Sequence, residues 1–166
     1  MDVPSEAIYV ELTYVARMFL AALLGGLVGW EREQKDVEAG IRTYAVVSLA
    51  ACAFSLISVH GVEHDGDPTR IAAEVISGMG FLGAGLILVN KGHITGLTTA
   101  ATLWASASIG LAVGFGLYVV AVCTAGLLYI VLAIKQWPLW MKVTPSSPTS
   151  KKASVEKPKV IEDGEY

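Results

Sequence analysis

Residues 12–30 read LTYVARMFLAALLGGLVGW, a mostly apolar run interrupted by one charged side chain, Arg17. A helix needs about 20 such residues to cross the hydrocarbon core of a bilayer. Four further runs have the same character, at about residues 44–59, 71–89, 98–114 and 117–134. They are continuously apolar, whereas the strands of an outer-membrane barrel alternate. The sequence therefore predicts an all-α polytopic membrane protein with five transmembrane helices.

The composition of the whole chain agrees with this prediction. Of 166 residues, 54% are hydrophobic and only 16% are charged, whereas soluble domains carry about 25% charged residues. The net charge of -3 gives no general field that would attract nucleic acid. Cys52 and Cys123 lie in apolar runs and form neither a disulfide framework nor a zinc-binding spacing. These features argue against a soluble enzyme, a secreted disulfide scaffold and a nucleic-acid module, and we expect no cofactor and no metal.

The distribution of positive charge predicts how the helices are oriented. Cytoplasmic loops of membrane proteins carry an excess of Lys and Arg. With five spans, the loops and tail on the C-terminal side hold Arg32, Lys35, Arg42, Lys91, Lys135, Lys142, Lys151, Lys152, Lys157 and Lys159. The opposite side holds only Arg70. We therefore expect the N-terminus outside and the C-terminus inside.

The sequence divides into a membrane domain and a tail. Residues 1–141 contain the five predicted spans, and no cleavable signal peptide is apparent because the N-terminal arm is acidic. Residues 142–166 are rich in Pro, Ser, Lys and Glu, which predicts a disordered cytoplasmic tail. Its lysines are expected to be solvated, with contact to anionic lipid head groups as the alternative.

A weak internal repeat relates two predicted helical hairpins. At an offset of 56 residues, Gly40 matches Gly96 and Thr43 matches Thr99. At an offset of 58, the segment that contains Gly25 matches the one that contains Gly83. Both hairpins run out-in-out, so the pattern predicts a parallel repeat about an axis along the membrane normal. Chance matching of small residues is the alternative.

Two ionisable residues, Arg17 and Glu74, lie within predicted spans at similar depth from the outer side. A charge in hydrocarbon usually faces a partner or water, so we predict a buried Arg17–Glu74 ion pair. The pair would lock two helices, or alternatively form an ion or proton site. Snorkelling of Arg17 to the surface is a third interpretation. Asp67 and Arg70 are expected at the outer face.

A second group of polar residues falls at the predicted cytoplasmic helix ends. Thr side chains there can cap helix N-termini, and helix N-termini attract anions. Ordinary capping and charge anchoring compete with a ligand or partner surface as the interpretation. The predicted cytoplasmic helix-end cluster is Glu31, Arg32, Arg42, Thr43, Thr98 and Thr99.

Small residues are concentrated in spans one, three and four. In lipid such residues let helices approach closely, either within the chain or at a homo-oligomer seam. The predicted packing glycines are Gly25, Gly29, Gly78, Gly80, Gly83, Gly85, Gly110 and Gly114.

Several of these motifs, in this order, resemble the MgtC/SapB family. The resemblance covers roughly residues 12–134, and its motifs are GWERE at 29–33, AGIRT at 39–43, RIAA at 70–73, SGMGFLGAG at 77–85 and GLTTAATLW at 96–104. It implies a bacterial inner-membrane protein linked to growth in low magnesium and to survival inside macrophages. Some members have Asn at the position of Thr98. Better-known members also carry a soluble C-terminal domain, where this sequence has a short charged tail.

Two functions follow as expectations from the residues and the resemblance. The first is a non-enzymatic regulator that binds another membrane protein through its helix faces; the resemblance suggests the F-type ATP synthase. The second is a small, oligomeric transporter or channel for magnesium or protons. The first is favoured because a single buried ion pair provides few polar groups for an ion permeation path.

Overall fold

The computed structural model describes residues 5–35, 37, 39–61, 67, 69–90 and 93–134. In chain order its elements are α1 (Ser5–Glu33), α2 (Ile41–His60), α3 (Arg70–Leu86), β1 (Leu88–Asn90), β2 (His93–Thr95), α4 (Leu97–Gly114) and α5 (Tyr118–Ala133). The helices belong to one compact unit that ends at Ile134. The predicted tail at residues 142–166 lies outside the described residues.

Among the described residues, three helical segments are long and apolar enough to cross a bilayer: Ile8–Glu33 within α1, and the whole of α2 and α4. The apolar helix α5 has 16 residues and α3 has 17. At 1.5 Å per residue these two reach about 24 and 26 Å, less than the hydrocarbon thickness of about 30 Å. The chain is therefore a helical membrane protein, and the five spans and their orientation stay predictions.

The centre of the fold is formed by α2 and α4. Helix α2 packs against α1, α3 and α4, and α4 also contacts α1, α3 and α5. The largest fully buried side chains of these two helices include Tyr44, Cys52, Ile109 and Val113. Helix α3 is more peripheral, and the residues that it buries are Ala72, Met79 and Gly83.

Four glycines lie where α1 and α4 meet α2. A Cβ built on Gly25 or Gly29 of α1, or on Gly110 or Gly114 of α4, would fall within 3.0 Å of an atom of the facing helix. Real Cβ atoms essentially never come this close to another atom. Any side chain at these positions would therefore force α1 or α4 away from α2.

The glycines of α3 have different surroundings. A Cβ on Gly83 would lie 3.7 Å from the Cβ of Ala100 in α4, which is ordinary contact. A Cβ on Gly78, Gly80 or Gly85 would meet no atom within 4 Å among the described residues. At these three positions there is therefore room for a Cβ beside the described part of this chain.

The predicted third span, residues 71–89, ends earlier than expected. Helix α3 stops at Leu86, and Leu88–Asn90 pairs with His93–Thr95 as an antiparallel hairpin. Gly96, with φ of +83°, then turns the chain into α4. A short β element therefore interrupts the predicted all-α architecture between α3 and α4.

One contact occurs in both hairpins at positions related by the predicted repeat. A Cβ on Gly25 would lie 2.6 Å from the carbonyl oxygen of Tyr44, and one on Gly83 would lie 3.9 Å from the carbonyl oxygen of Ala100. Gly83 follows Gly25 by 58 residues, and Ala100 follows Tyr44 by 56, which are the two offsets of the repeat. The parallel repeat of two helical hairpins itself stays a prediction.

Candidate functional site

The last turn of α1 carries two charged side chains into the protein. Glu31 is only 4% exposed and Arg32 only 6% exposed. Burying a charge costs several kcal/mol unless partners compensate it, so buried charges in membrane helices often mark a function. The contacts of these two side chains define the candidate site.

Arg32 joins a hydrogen-bonded group on α2 and α4. Its Nη2 donates to Thr99 Oγ1 at 2.9 Å. Nearby, the Tyr44 and Thr102 hydroxyl oxygens are 2.5 Å apart. The Thr102 hydroxyl also lies within hydrogen-bond distance of the carbonyl oxygen of Thr98, at 2.8 Å. The arrangement fastens the end of α1 to the first turns of α2 and α4.

Glu31 is connected to α5 through a lysine. Lys35 forms an ion pair with the Glu31 carboxylate, one helical turn away. The Lys35 ammonium also donates to the carbonyl oxygen of Leu132 at 2.7 Å, in the last turn of α5. A cation is favourable there because a helix C-terminus carries partial negative charge. Lys35 therefore ties the end of α5 to the end of α1.

A third acidic residue caps α2. Glu33 Oε2 accepts the backbone N–H of Ile41, the first residue of α2, at 2.8 Å. The carboxylate thus satisfies one of the amides that a helix leaves unpaired at its N-terminus. The corresponding end of α4 begins after Gly96 with no side-chain cap.

Two polar atoms of the site remain unsatisfied. Arg32 Nε and Glu31 Oε2 are buried and have no hydrogen-bond partner among the described residues. Such atoms cost about 1–3 kcal/mol each, or more when charged. The site offers a donor and an acceptor that a ligand or a conformational change can satisfy.

The structure brings together three of the six residues predicted for the cytoplasmic helix-end cluster: Glu31, Arg32 and Thr99. The other three, Arg42, Thr43 and Thr98, have exposed side chains. The prediction missed Lys35, Tyr44 and Thr102. The spacing of Lys35, four residues after Glu31, is a signal that could have found the ion pair, and Thr102 shares a helix face with Thr99.

Arg17 and Glu74 are not brought together. Arg17 Nη1 donates to the carbonyl oxygen of Gly114 at 3.1 Å, and its guanidinium lies 5.7 Å from the centre of the Tyr118 ring. Glu74 is exposed and lines an apolar groove of about 440 Å³ between α2 and α3. The predicted ion pair is thus replaced by a contact of Arg17 with the C-terminal end of α4, where the helix dipole favours a cation.

The outer-face residues lie at the start of α3. Asp67 Oδ1 accepts the backbone N–H and the hydroxyl of Thr69, at 2.9 and 2.7 Å. These hydrogen bonds hold the pKa of the Asp67 carboxyl below its usual value. Arg70 is exposed and opens the helix. Across the part of the chain that the structure describes, no group of three or more His, Cys, Asp and Glu is placed to hold a metal.

Comparison with known proteins gives one family and several relatives. The MgtC family matches residues 18–138. The chain is 38% identical over 128 residues to the putative magnesium transporter YhiD of Escherichia coli K12, covering 73% of this chain and 60% of that protein. It is 36% identical over 138 residues to protein SapB of Bacillus subtilis, covering 78% of this chain and 59% of that protein.

A further relative matches a shorter segment more closely. Protein MgtC of Brucella abortus is 48% identical over 97 residues, which are 58% of this chain and 40% of that protein. The chain therefore spans between about two fifths and three fifths of the length of these three relatives. No solved structure matches it.

Proposed function

Because this chain belongs to the MgtC family, we propose that it is a non-enzymatic regulator that acts by binding another membrane protein. We place it in the bacterial inner membrane and link it to growth in low magnesium and to virulence. The names of its relatives, which include MgtC and a putative magnesium transporter, support the link to magnesium. The F-type ATP synthase is the partner that we propose to test first.

The observation that carries this proposal is the unoccupied face of α3. A Cβ built on Gly78 or Gly85 would meet no atom within 4 Å among the described residues, although glycines of α1 and α4 make tight contacts with α2. On the same helix, Phe81 is 83% exposed. Gly78 lies three residues before Phe81 and Gly85 lies four residues after it, so α3 presents small residues beside a large apolar side chain on one helix face.

This face suits another transmembrane helix for a physical reason. In lipid the hydrophobic effect does not bring helices together, so association depends on close van der Waals packing and on interhelical hydrogen bonds. Glycines allow the backbones to approach, and the projecting Phe81 ring supplies contact area. Within this chain, glycines let α1 and α4 pack closely against α2. This supports the same kind of packing between α3 and a partner helix.

The test places a bulky side chain on this face. We expect the folded chain to accommodate Gly85→Leu, because Gly85 is exposed and a Cβ there meets nothing within 4 Å among the described residues. Gly126→Leu is the matched control, since Gly126 of α5 is equally open. Each variant is assayed for membrane level, for rescue of growth in low magnesium and for copurification with ATP synthase subunits after cross-linking.

We expect Gly85→Leu to reach the membrane at the parental level but to lose rescue and copurification, while Gly126→Leu keeps both. Full rescue by Gly85→Leu would contradict a partner surface on α3. Loss of growth rescue without any change in ATP synthase copurification would still support a partner surface on α3, but it would exclude ATP synthase as the partner.

A cation transporter is the second candidate, and the groove that Glu74 lines favours it. The groove lies between α2 and α3, and Glu74 is the charged residue among those that line it. An ion path between α1, α2 and α4 is disfavoured, because the close contacts at their glycines pack these helices tightly together. Reconstituted liposomes should show magnesium or proton flux that Glu74→Gln abolishes. Flux no higher than in protein-free liposomes would contradict transport.

A further inference from the structure

The N-terminus of α4 lacks the carboxylate that caps α2. At α2, Glu33 accepts the first amide of the helix. At α4, Gly96 precedes the helix, and no side chain among the described residues accepts the first amides. The first amides of a helix, here those of Leu97, Thr98 and Thr99, have no partner within the helix itself. They give this end of α4 a partial positive charge.

A buried guanidinium lies against the same first turn. Arg32, 6% exposed, places Nη2 2.9 Å from Thr99 Oγ1. Its Nε is buried without a hydrogen-bond partner among the described residues. A cation beside the positive end of a helix is electrostatically unfavourable unless an anion joins them. The two features together therefore point to an anionic ligand.

We propose that the first turn of α4 and Arg32 bind a phosphate group, carried either by an anionic lipid or by free phosphate. A phosphate has enough oxygens to accept from the Arg32 guanidinium and from several backbone amides at once. The approach is open, because Thr98 is exposed and Leu97 is 54% exposed. The neighbouring Glu31 carboxylate forms its ion pair with Lys35 through Oε1, while its Oε2 has no hydrogen-bond partner among the described residues.

The predicted repeat relates the carboxylate that caps α2 to a basic residue that precedes α4 in the sequence. The offset of 58 that relates Gly25 to Gly83 also relates Glu33 to Lys91 in the sequence. The first hairpin thus carries its own carboxylate, whereas the second has a basic residue at the related position. The structure of Lys91 itself lies outside the described residues. The phosphate site is separate from the α3 face on which the proposed function rests, so either can fail without the other.

The experiment measures the unfolding temperature of the purified full chain in neutral detergent. One arm adds inorganic phosphate and compares it with chloride at equal ionic strength. The other adds phosphatidylglycerol and compares it with phosphatidylcholine. Arg32→Gln removes the guanidinium, while Arg42→Gln is the control for an exposed arginine. Thr98→Asp, at an exposed position, places a carboxylate on the first turn of α4 and stands in for the ligand.

We expect phosphate or phosphatidylglycerol to raise the unfolding temperature of the parent and of Arg42→Gln by several degrees, because a ligand that binds only the folded state stabilises it. Thr98→Asp should be more stable than the parent without ligand and should lose the response. A response to phosphatidylglycerol alone identifies a lipid site, and one to both identifies a general phosphate site.

Two results would overturn the proposal. The first is a parent that responds to neither additive beyond its matched control. The second is a Thr98→Asp variant whose unfolding temperature rises with phosphate or phosphatidylglycerol as much as that of the parent. This result does not depend on Arg32→Gln, so the test stays decisive even if that variant does not fold.

Discussion

Gly25→Ala and Gly26→Ala are adjacent substitutions in α1 for which the structure predicts opposite effects on stability. A Cβ on Gly25 would lie 2.6 Å from both Ser48 Cβ and the Tyr44 carbonyl oxygen. A Cβ on Gly26 would lie 3.7 Å from Ala45 Cβ, at ordinary contact distance. The two variants add the same methyl group to the same helix, so they differ only in what it meets.

The expected difference can be estimated from these distances. Both variants gain about 0.5–1 kcal/mol from the better helix propensity of Ala, and this gain cancels in the comparison. For Gly25→Ala, α1 and α2 must separate by several tenths of an ångström or more, because backbone atoms cannot rotate out of the way. Overpacking of this kind costs about 1–3 kcal/mol, and widening the interface weakens the surrounding dispersion contacts.

The measurement is the free energy of unfolding in mixed micelles, from SDS titration followed by helical circular dichroism. We expect Gly26→Ala to be at least as stable as the parent and Gly25→Ala to fall about 1–3 kcal/mol below Gly26→Ala. Equal stability of the two variants, or a more stable Gly25→Ala, would refute the close α1–α2 contact.

Four further predictions concern the charged residues and the topology. Lys35→Met leaves Glu31 buried and unpaired and should destabilise the chain by about 2–3 kcal/mol, whereas Lys35→Met with Glu31→Gln should recover most of this loss; no recovery would argue against the ion pair. Arg17→Met should lower the unfolding temperature while Glu74→Gln leaves it unchanged, and equal losses would instead support a pair between them. Asp67 has a folded-state pKa below the unfolded value of about 3.9, so its stabilisation of the α3 start is present at neutral pH and lost as the pH falls through the folded pKa. Hydrogen exchange at the α3 N-terminus should accelerate only in that acid range, and acceleration near pH 6 would implicate another group. Reporter fusions test the orientation at three points: after Val62, after Gly92 and after Lys142. They should read outside, inside and inside, and an outside result at the last point would exclude five spans.

Much of the candidate site was visible in the sequence, but its pairing was not. Glu31 and Arg32 stood out as charges at the end of an apolar run, and Thr99 as a polar residue at a helix start. The sequence could not distinguish Arg32 from Arg42, which have the same chemistry. The structure separates them, because Arg32 faces α4 whereas Arg42 is exposed. Such a difference depends on how a helix is rotated against its neighbours.

The sequence by itself determined the helical membrane character and the approximate limits of the helices, because continuous apolarity and its interruptions are local properties of the chain. Tertiary structure alone decided which glycines are packed and which are open, since Gly29 and Gly80 are chemically identical residues in apolar helices. It also decided that Arg17 contacts the end of α4 and that Glu74 lines a groove. Similar depth in the bilayer is necessary for two charges to meet, but the rotation and neighbours of each helix determine whether they do.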